Sequence, residues 1–171
     1  MFTDPIKNLK ALGLRENNIV ADLGAGTGFY SVAAGHLVRS GKVYAVEIVK
    51  DFLVTIKNKV KEARLHNVEI LWGNIEKLGG TGIGDNIIDA VIASNVLFQV
   101  GDKENFILEI KRILKSKGRV LLIDWSAPSI MGAKSIIPKN KAREMFEKKG
   151  FILEREIDAG GHHYGMILIK V

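Results

Sequence analysis

Hydrophobic positions along the chain fall into two alternating rhythms. Short, nearly uninterrupted apolar runs at residues 18–22, 42–46, 68–72, 87–93 and 119–124 read as strands buried on both faces. Between them lie stretches with apolar residues three and four apart. The clearest is 51–65, with Phe52, Leu53, Ile56, Val60 and Ala63 on one side. Others are expected at 28–39, closed by Gly41, and at 138–149, stopped by Gly150. Asp4 followed by Pro5 predicts an opening helix that ends near Gly13. Asp102 predicts a helix carrying Phe106, Ile110, Ile113 and Leu114 that runs to a stop at Gly118. Residues 151–156 and 164–171 read as two final strands.

Apolar strands separated by amphipathic helices imply a parallel sheet covered on both faces, and right-handed crossovers then wind it doubly. The expected fold is Rossmann-like α/β, a mostly parallel seven-stranded sheet with helices on both faces. The last two strands are joined too closely for a parallel crossover, so the final strand is expected to be antiparallel. Its first residues then return to the edge where the parallel strands end. Ligands of such folds bind beyond the carboxyl ends of the strands.

That edge carries the main chemical signal. Asp22-Leu23-Gly24-Ala25-Gly26-Thr27-Gly28 lies between the first strand and a helix start. Glycines there permit positive φ and close backbone approach, and a helix start offers free N–H groups to an anion. The spacing is G-x-G-x-G, and Phe29 stands where a dinucleotide fingerprint wants its last glycine. Asp22 can accept bonds from an ammonium or from loop N–H groups. Glu47 ends the second strand at the distance expected of a carboxylate that binds a ribose diol, with little load on folding. A glycine loop, a diol acceptor and no phosphate-loop lysine describe a nucleoside bearing an amino acid.

With these residues the sequence resembles the class I S-adenosylmethionine-dependent methyltransferases, and within them the ubiquinone/menaquinone-biosynthesis-like group. Residues 20–28 resemble the first motif of that class and Val43-Tyr44-Ala45-Val46-Glu47 the second. Gly73-Asn74-Ile75-Glu76 stands at the adenine motif, with asparagine where aspartate is common. Residues 85–97 resemble the fourth motif, followed by Phe98 where many relatives carry histidine, and 114–120 the turn before the fifth strand. The resemblance implies S-adenosyl-L-methionine as cofactor. It places Gly24, Ala25, Gly26 and Gly28 along the methionine portion and Asp22 at the loop and the amine. It places Glu47 on the ribose, Ile48, Asn74 and Ile75 at adenine, and Ser94 near the amine.

Methyl transfer is an in-line displacement, for which positioning can supply much of the rate. His163, Tyr164 and Asp124 are the candidate catalytic residues on the acceptor side, with Phe98 and Trp125 making that pocket apolar. A histidine there could take a proton from an acceptor. The segment 127–137 is the candidate lid. His36 and His66 are read as surface residues, and Asp89 as a turn residue at a strand start.

Composition changes this picture little. The 171 residues suit one domain, 1–171. The absence of cysteine excludes disulfides, thiolate metal sites and the covalent cysteine route to pyrimidine carbon. No metal site, no membrane span and no export signal are expected, and the chain reads as cytoplasmic. Lysine, glutamate and isoleucine with a single glutamine resemble thermophile usage. The net charge of +6 raises nucleic acid as a partner, but lysines interleaved with glutamates, as around Glu109, read as solvated helix faces. A small-molecule acceptor is therefore the first reading. An RNA methyltransferase, which needs a basic, aromatic-bearing surface beside the pocket, and a non-catalytic cofactor binder remain alternatives. The residues leave the acceptor atom and the oligomeric state open.

Overall fold

The computed structural model describes residues 3–127 and 136–171. Seven strands form one sheet in the order β3-β2-β1-β4-β5-β7-β6. These are β1 (Ile19–Leu23), β2 (Lys42–Glu47), β3 (Val68–Trp72), β4 (Ile88–Ser94), β5 (Leu114–Trp125), β6 (Phe151–Ile157) and β7 (His163–Lys170). The helices are α1 (Pro5–Leu12), α2 (Phe29–Leu37), α3 (Lys50–Glu62), α4 (Lys103–Ile113) and α5 (Lys139–Glu147). β1 through β5 pair in parallel, and β7 runs antiparallel to both β5 and β6, as expected from the short final connection.

The continuous apolar strands are explained by two cores. Ala21, Val91, Ala93, Val120 and Leu122 face Phe106 and Ile110 of α4 and Phe146 of α5. Their neighbours Val20, Ala90, Ile92, Leu121 and Ile123 face Leu9 and Leu12 of α1 and Tyr30 and Ala34 of α2. Successive strand residues thus serve opposite faces. α3 covers the β2 end through Ile56 and Val60 against Ala45.

One boundary differs from the sequence reading. α4 stops at Ile113, and Leu114 is already extended (φ −73°, ψ 137°) and paired with Ile88. The ladder then shifts register before Ala90 meets Arg119. Leu114 is buried, so its apolar character mimics one more helical turn. Gly118 is needed for close approach within this irregularity, because a Cβ there would lie 2.8 Å from Leu114 Cδ2 and 2.9 Å from the Lys115 carbonyl.

A second difference concerns charge. Glu109, read as part of a solvated face, is fully buried. It accepts bonds from the Gly79 N–H (2.8 Å) and the Thr81 hydroxyl (2.6 Å), and it pairs with Arg112 (2.7 Å). Burial works to raise its pKa, but Arg112, Thr81 and the loop N–H groups outweigh that and hold it at about 2. Glu109 thereby fixes the glycine-rich loop after β3.

Candidate functional site

The carboxyl ends of β1, β2 and β4 open into a cavity of about 680 Å³. Asp22 comes from the end of β1, Glu47 and Ile48 from the end of β2 and just after it, and residues 73–76 from the turn after β3. Ser94, Asn95, Val96, Gln99 and Val100 come from the end of β4 and the turn after it, while Phe98 and Trp125, expected as apolar walls, do not line it. Thr3 and Pro5 at the start of α1 and Tyr30 of α2 complete it. The cofactor residues expected from the sequence, Asp22, Gly24, Ala25, Gly26, Glu47, Ile48, Asn74, Ile75 and Ser94, all line it. Gly28 does not. Its left-handed backbone (φ 82°) turns the chain into α2, and a Cβ there would meet Ile56 Cγ1 at 3.1 Å.

The loop is built for close approach. Gly24 has φ 71°, and a Cβ on it would lie 2.8 Å from Val96 Cγ2. The Gly24 and Ala25 N–H groups both donate to the Val46 carbonyl at 3.0 Å, tying the loop to β2. Glu47 is more than a strand-end acid. It is buried, Oε2 accepts from the Gly26 N–H at 2.8 Å, and Oε1 accepts from the N–H groups of Ile48 (2.8 Å) and Val49 (3.0 Å). The expectation that it carries little folding load is therefore corrected: three backbone donors depend on it.

Asp22 is 3% exposed, and the Ser31 hydroxyl donates to its Oδ2 at 2.6 Å. Burial raises its carboxyl to about 7, partly offset by the Ser31 bond and reinforced by Glu47 nearby. Asn74 Oδ1 takes the Glu76 N–H at 2.9 Å, which leaves its amide nitrogen and one lone pair for a ligand. Ser94 Oγ and Asn95 Oδ1 are buried with no hydrogen-bond partner among the described residues. Tyr30 reaches across to α1, where its hydroxyl accepts from Asn8 Nδ2 at 2.9 Å. Tyr30, Thr3, Pro5 and Gln99 belong to the cavity but were missed in the sequence. Thr3, Pro5 and Tyr30 come from segments without a motif, brought in by the packing of α1 on α2, and Gln99 comes from the turn after β4, just past the motif.

The lining contains the carboxylates Asp22, Glu47 and Glu76 and, among the described residues, no lysine, arginine or histidine. Such a donor set suits a cationic ligand and opposes a pyrophosphate.

His163, Tyr164 and Asp124 lie on the same edge of the sheet but outside the lining. Asp124 pairs with Tyr164, and Trp125 with His163, across β5 and β7. Asp124 is buried, and its oxygens accept the Phe98 N–H (3.0 Å) and the Trp125 N–H (2.8 Å), which anchors the turn whose other residues line the cavity. Burial raises its pKa. The His163 ring sits 4.3 Å from that of Trp125, and both its nitrogens and the Tyr164 hydroxyl are buried without partners among the described residues. Burial lowers the His163 pKa, aided by His162, and raises that of Tyr164, aided by Asp124. Of the candidate lid, residues 128–135 lie outside the described residues. Asp89 accepts the Ile19 N–H at 2.7 Å and pairs with Lys115, a structural role at the opposite edge. His36 and His66 are exposed.

Residues 14–160 match the family model for the methyltransferase domain. The chain is similar to the demethylmenaquinone methyltransferase of Listeria welshimeri, 32% identical over 131 residues, 76% of this chain and 54% of that protein. It is 28% identical to that of Geobacillus sp. over 129 residues, 75% of this chain and 54% of that one. It thus spans about half the length of the curated relatives it matches. Among solved structures, a SAM-dependent methyltransferase from Aquifex aeolicus superposes with a TM-score of 0.90 at 27% identity, covering 99% of this chain and 91% of that one. A putative type 11 methyltransferase from Sulfolobus solfataricus gives 0.76 at 26% identity, covering 100% and 95%.

Proposed function

This chain belongs to the methyltransferase-domain family, and on that footing we propose that it carries the methyl group of S-adenosylmethionine to a small, largely apolar acceptor. The observation that carries the reading is the cavity at the strand ends, lined by three carboxylates and no basic side chain among the described residues. The residues fit the cofactor. Gly24 (φ 71°) lines the cavity with backbone, and a side chain there would strike Val96. Asp22 would hold the amine, Glu47 the ribose hydroxyls, and Ile48, Asn74 and Ile75 the adenine. Ser94, with its unpaired hydroxyl, would serve the amino-acid end. When bound, the cofactor supplies a methyl group already activated on a sulfonium.

The protein's share of the chemistry is then orientation and exclusion of water. Asp124 acts by holding the 97–98 turn against the cavity rather than by touching the acceptor. His163 is the proton acceptor of this reading. Burial keeps its imidazole neutral at pH 7, so it can take a proton where the acceptor must lose one. Its unpaired nitrogens support a role toward a ligand, since buried groups of this kind ordinarily find partners. The names of the relatives support a small-molecule quinone acceptor of the demethylmenaquinone kind. The test is a mass-spectrometric search of cell extract for molecules that gain one methyl from labelled cofactor. A product among small apolar aromatics is expected. Cofactor binding without methylation of any extract component would refute the enzyme, and methylated RNA would refute the acceptor class.

A further inference from the structure

The rim of the cavity is unusually apolar for exposed surface. Phe29 is 68% exposed and Trp72 67%, and Ile48, Val49 and Phe52 beside them are also exposed. Phe29, Ile48, Val49 and Phe52 line the mouth, and the Trp72 indole N–H donates to the Ile48 carbonyl at 3.1 Å. These side chains therefore form one patch and are not scattered exposures.

The patch continues into α3. Lys50, Val54, Lys57 and Lys61 follow one another at spacings of four, three and four, which places them on a single stripe. All four are exposed, on the face away from the buried Ile56 and Val60. Lys50 Nζ lies 6.0 Å from the centre of the Trp72 ring, and Lys59 Nζ lies 4.7 Å from that of Phe29. The helix carries four lysines against Asp51 and Glu62, and none of the four forms an ion pair among the described residues. The lysines of α5 behave otherwise, Lys141 and Lys148 both pairing with Glu144.

We propose that this face, α3 with the Phe29–Trp72 rim, docks on an anionic lipid bilayer. Tryptophan and phenylalanine flanked by lysines match the interface of a bilayer, where rings enter the acyl boundary and ammonium groups reach phosphate oxygens. Exposed Ile48, Val49 and Val54 favour lipid over nucleic acid, because aliphatic side chains gain from hydrocarbon but offer no ring for base stacking. The inference revises the sequence expectation of no membrane partner. It needs no spanning segment, and no described helix is long and apolar enough to cross a bilayer.

The chain has two tryptophans, so Trp125→Phe leaves Trp72 as sole reporter. Its emission should shift to the blue with phosphatidylcholine vesicles containing phosphatidylglycerol, and be quenched by brominated acyl chains, but not with phosphatidylcholine alone. Replacing Lys50, Lys57 and Lys61 by glutamate should reduce sedimentation with the anionic vesicles by about a hundredfold, each lysine near such a surface being worth roughly fivefold. Lys141→Glu with Lys148→Glu should leave it unchanged. Trp72→Ala, at an exposed position, should weaken binding while circular dichroism stays native. Unshifted Trp72 emission on anionic vesicles, or binding indifferent to the triple replacement, overturns the proposal. So does a polyuridine strand that shifts Trp72 where vesicles do not. The measurements use no cofactor and no turnover, so their failure is distinct from failure of the methyltransferase reading.

Discussion

Lowering the pH should weaken cofactor binding through Asp22. Burial raises the Asp22 carboxyl to about 7 in the free protein, so near neutrality the cavity holds a proton where the amine of the ligand would sit. An ammonium opposite the carboxylate stabilises the ionised form, and binding therefore expels that proton. Because the free carboxyl titrates near 7 and the bound one lower, the dissociation constant should rise about fivefold from pH 7 to pH 6. The ligand's amine remains protonated throughout that interval, so it adds little to the slope. Titration calorimetry in buffers of different ionisation enthalpy reads both the affinity and the proton released. Asp22→Asn should abolish the slope and the proton release while keeping the Ser31 bond. The same pKa fixes the sign for stability. A carboxyl raised from the unfolded range to about 7 favours the folded state at low pH and loses that advantage as pH rises from about 4 to 7. The asparagine variant should therefore melt higher than wild type at pH 8, while binding more weakly. A pH-independent affinity in the wild type, or equal slopes in the two proteins, would refute the placement of the amine at Asp22.

Four further outcomes follow from particular contacts. Glu47→Ala should cost about 1–3 kcal/mol of cofactor affinity in calorimetry, the range for charge-assisted hydrogen bonds. It should also lower the melting temperature, since the Gly26, Ile48 and Val49 N–H groups lose their acceptor. Gly24→Ala should cost about 1–2 kcal/mol of stability for the left-handed backbone alone, and its methyl group, driven against Val96, should also remove measurable cofactor binding. Glu109, held at about 2, contributes stability that is present above the ordinary carboxylate range and lost as pH falls through 2, so Glu109→Gln should show a flatter acid melting curve below pH 4.5. His163→Ala should reduce turnover on an acceptor that must lose a proton and leave cofactor affinity intact; unchanged kcat across pH would exclude it as the base.

The sheet was legible because the central strands β1, β4 and β5 are apolar on both faces, as a doubly covered parallel sheet requires. The cofactor half of the site was legible for a related reason. Its residues sit within a few positions of strand ends, so Asp22, Glu47, Asn74 and Ser94 converge once the strands are in register. Glu109 was not legible, because its spacing from Lys111 and Arg112 is that of an exposed ion-pair helix. Its burial depends on the loop at 79–83 folding over it, a contact between segments about thirty residues apart. Leu114 misled for the complementary reason, since a buried leucine fits a helix face and a bulged strand equally well.

The acceptor end shows where strand topology stops informing. Topology places Asp124, His163 and Tyr164 on the cofactor edge, and their register across β5 and β7 agrees with that. It does not say which loops intervene. The turn after β4 does intervene, because the Phe98 N–H bonds to Asp124 and brings that turn between the carboxylate and the cavity. The Asp124 carboxylate is engaged by the Phe98 and Trp125 N–H groups and lies outside the cavity lining, which gives it a positioning role. His163 has neither nitrogen engaged among the described residues. Asp124 and His163 therefore divide the work suggested by their adjacency. Asp124 sets the position of the cavity wall through the Phe98 N–H, and in the proposed reaction His163, whose ring lies 4.3 Å from that of Trp125, is the residue that would exchange a proton.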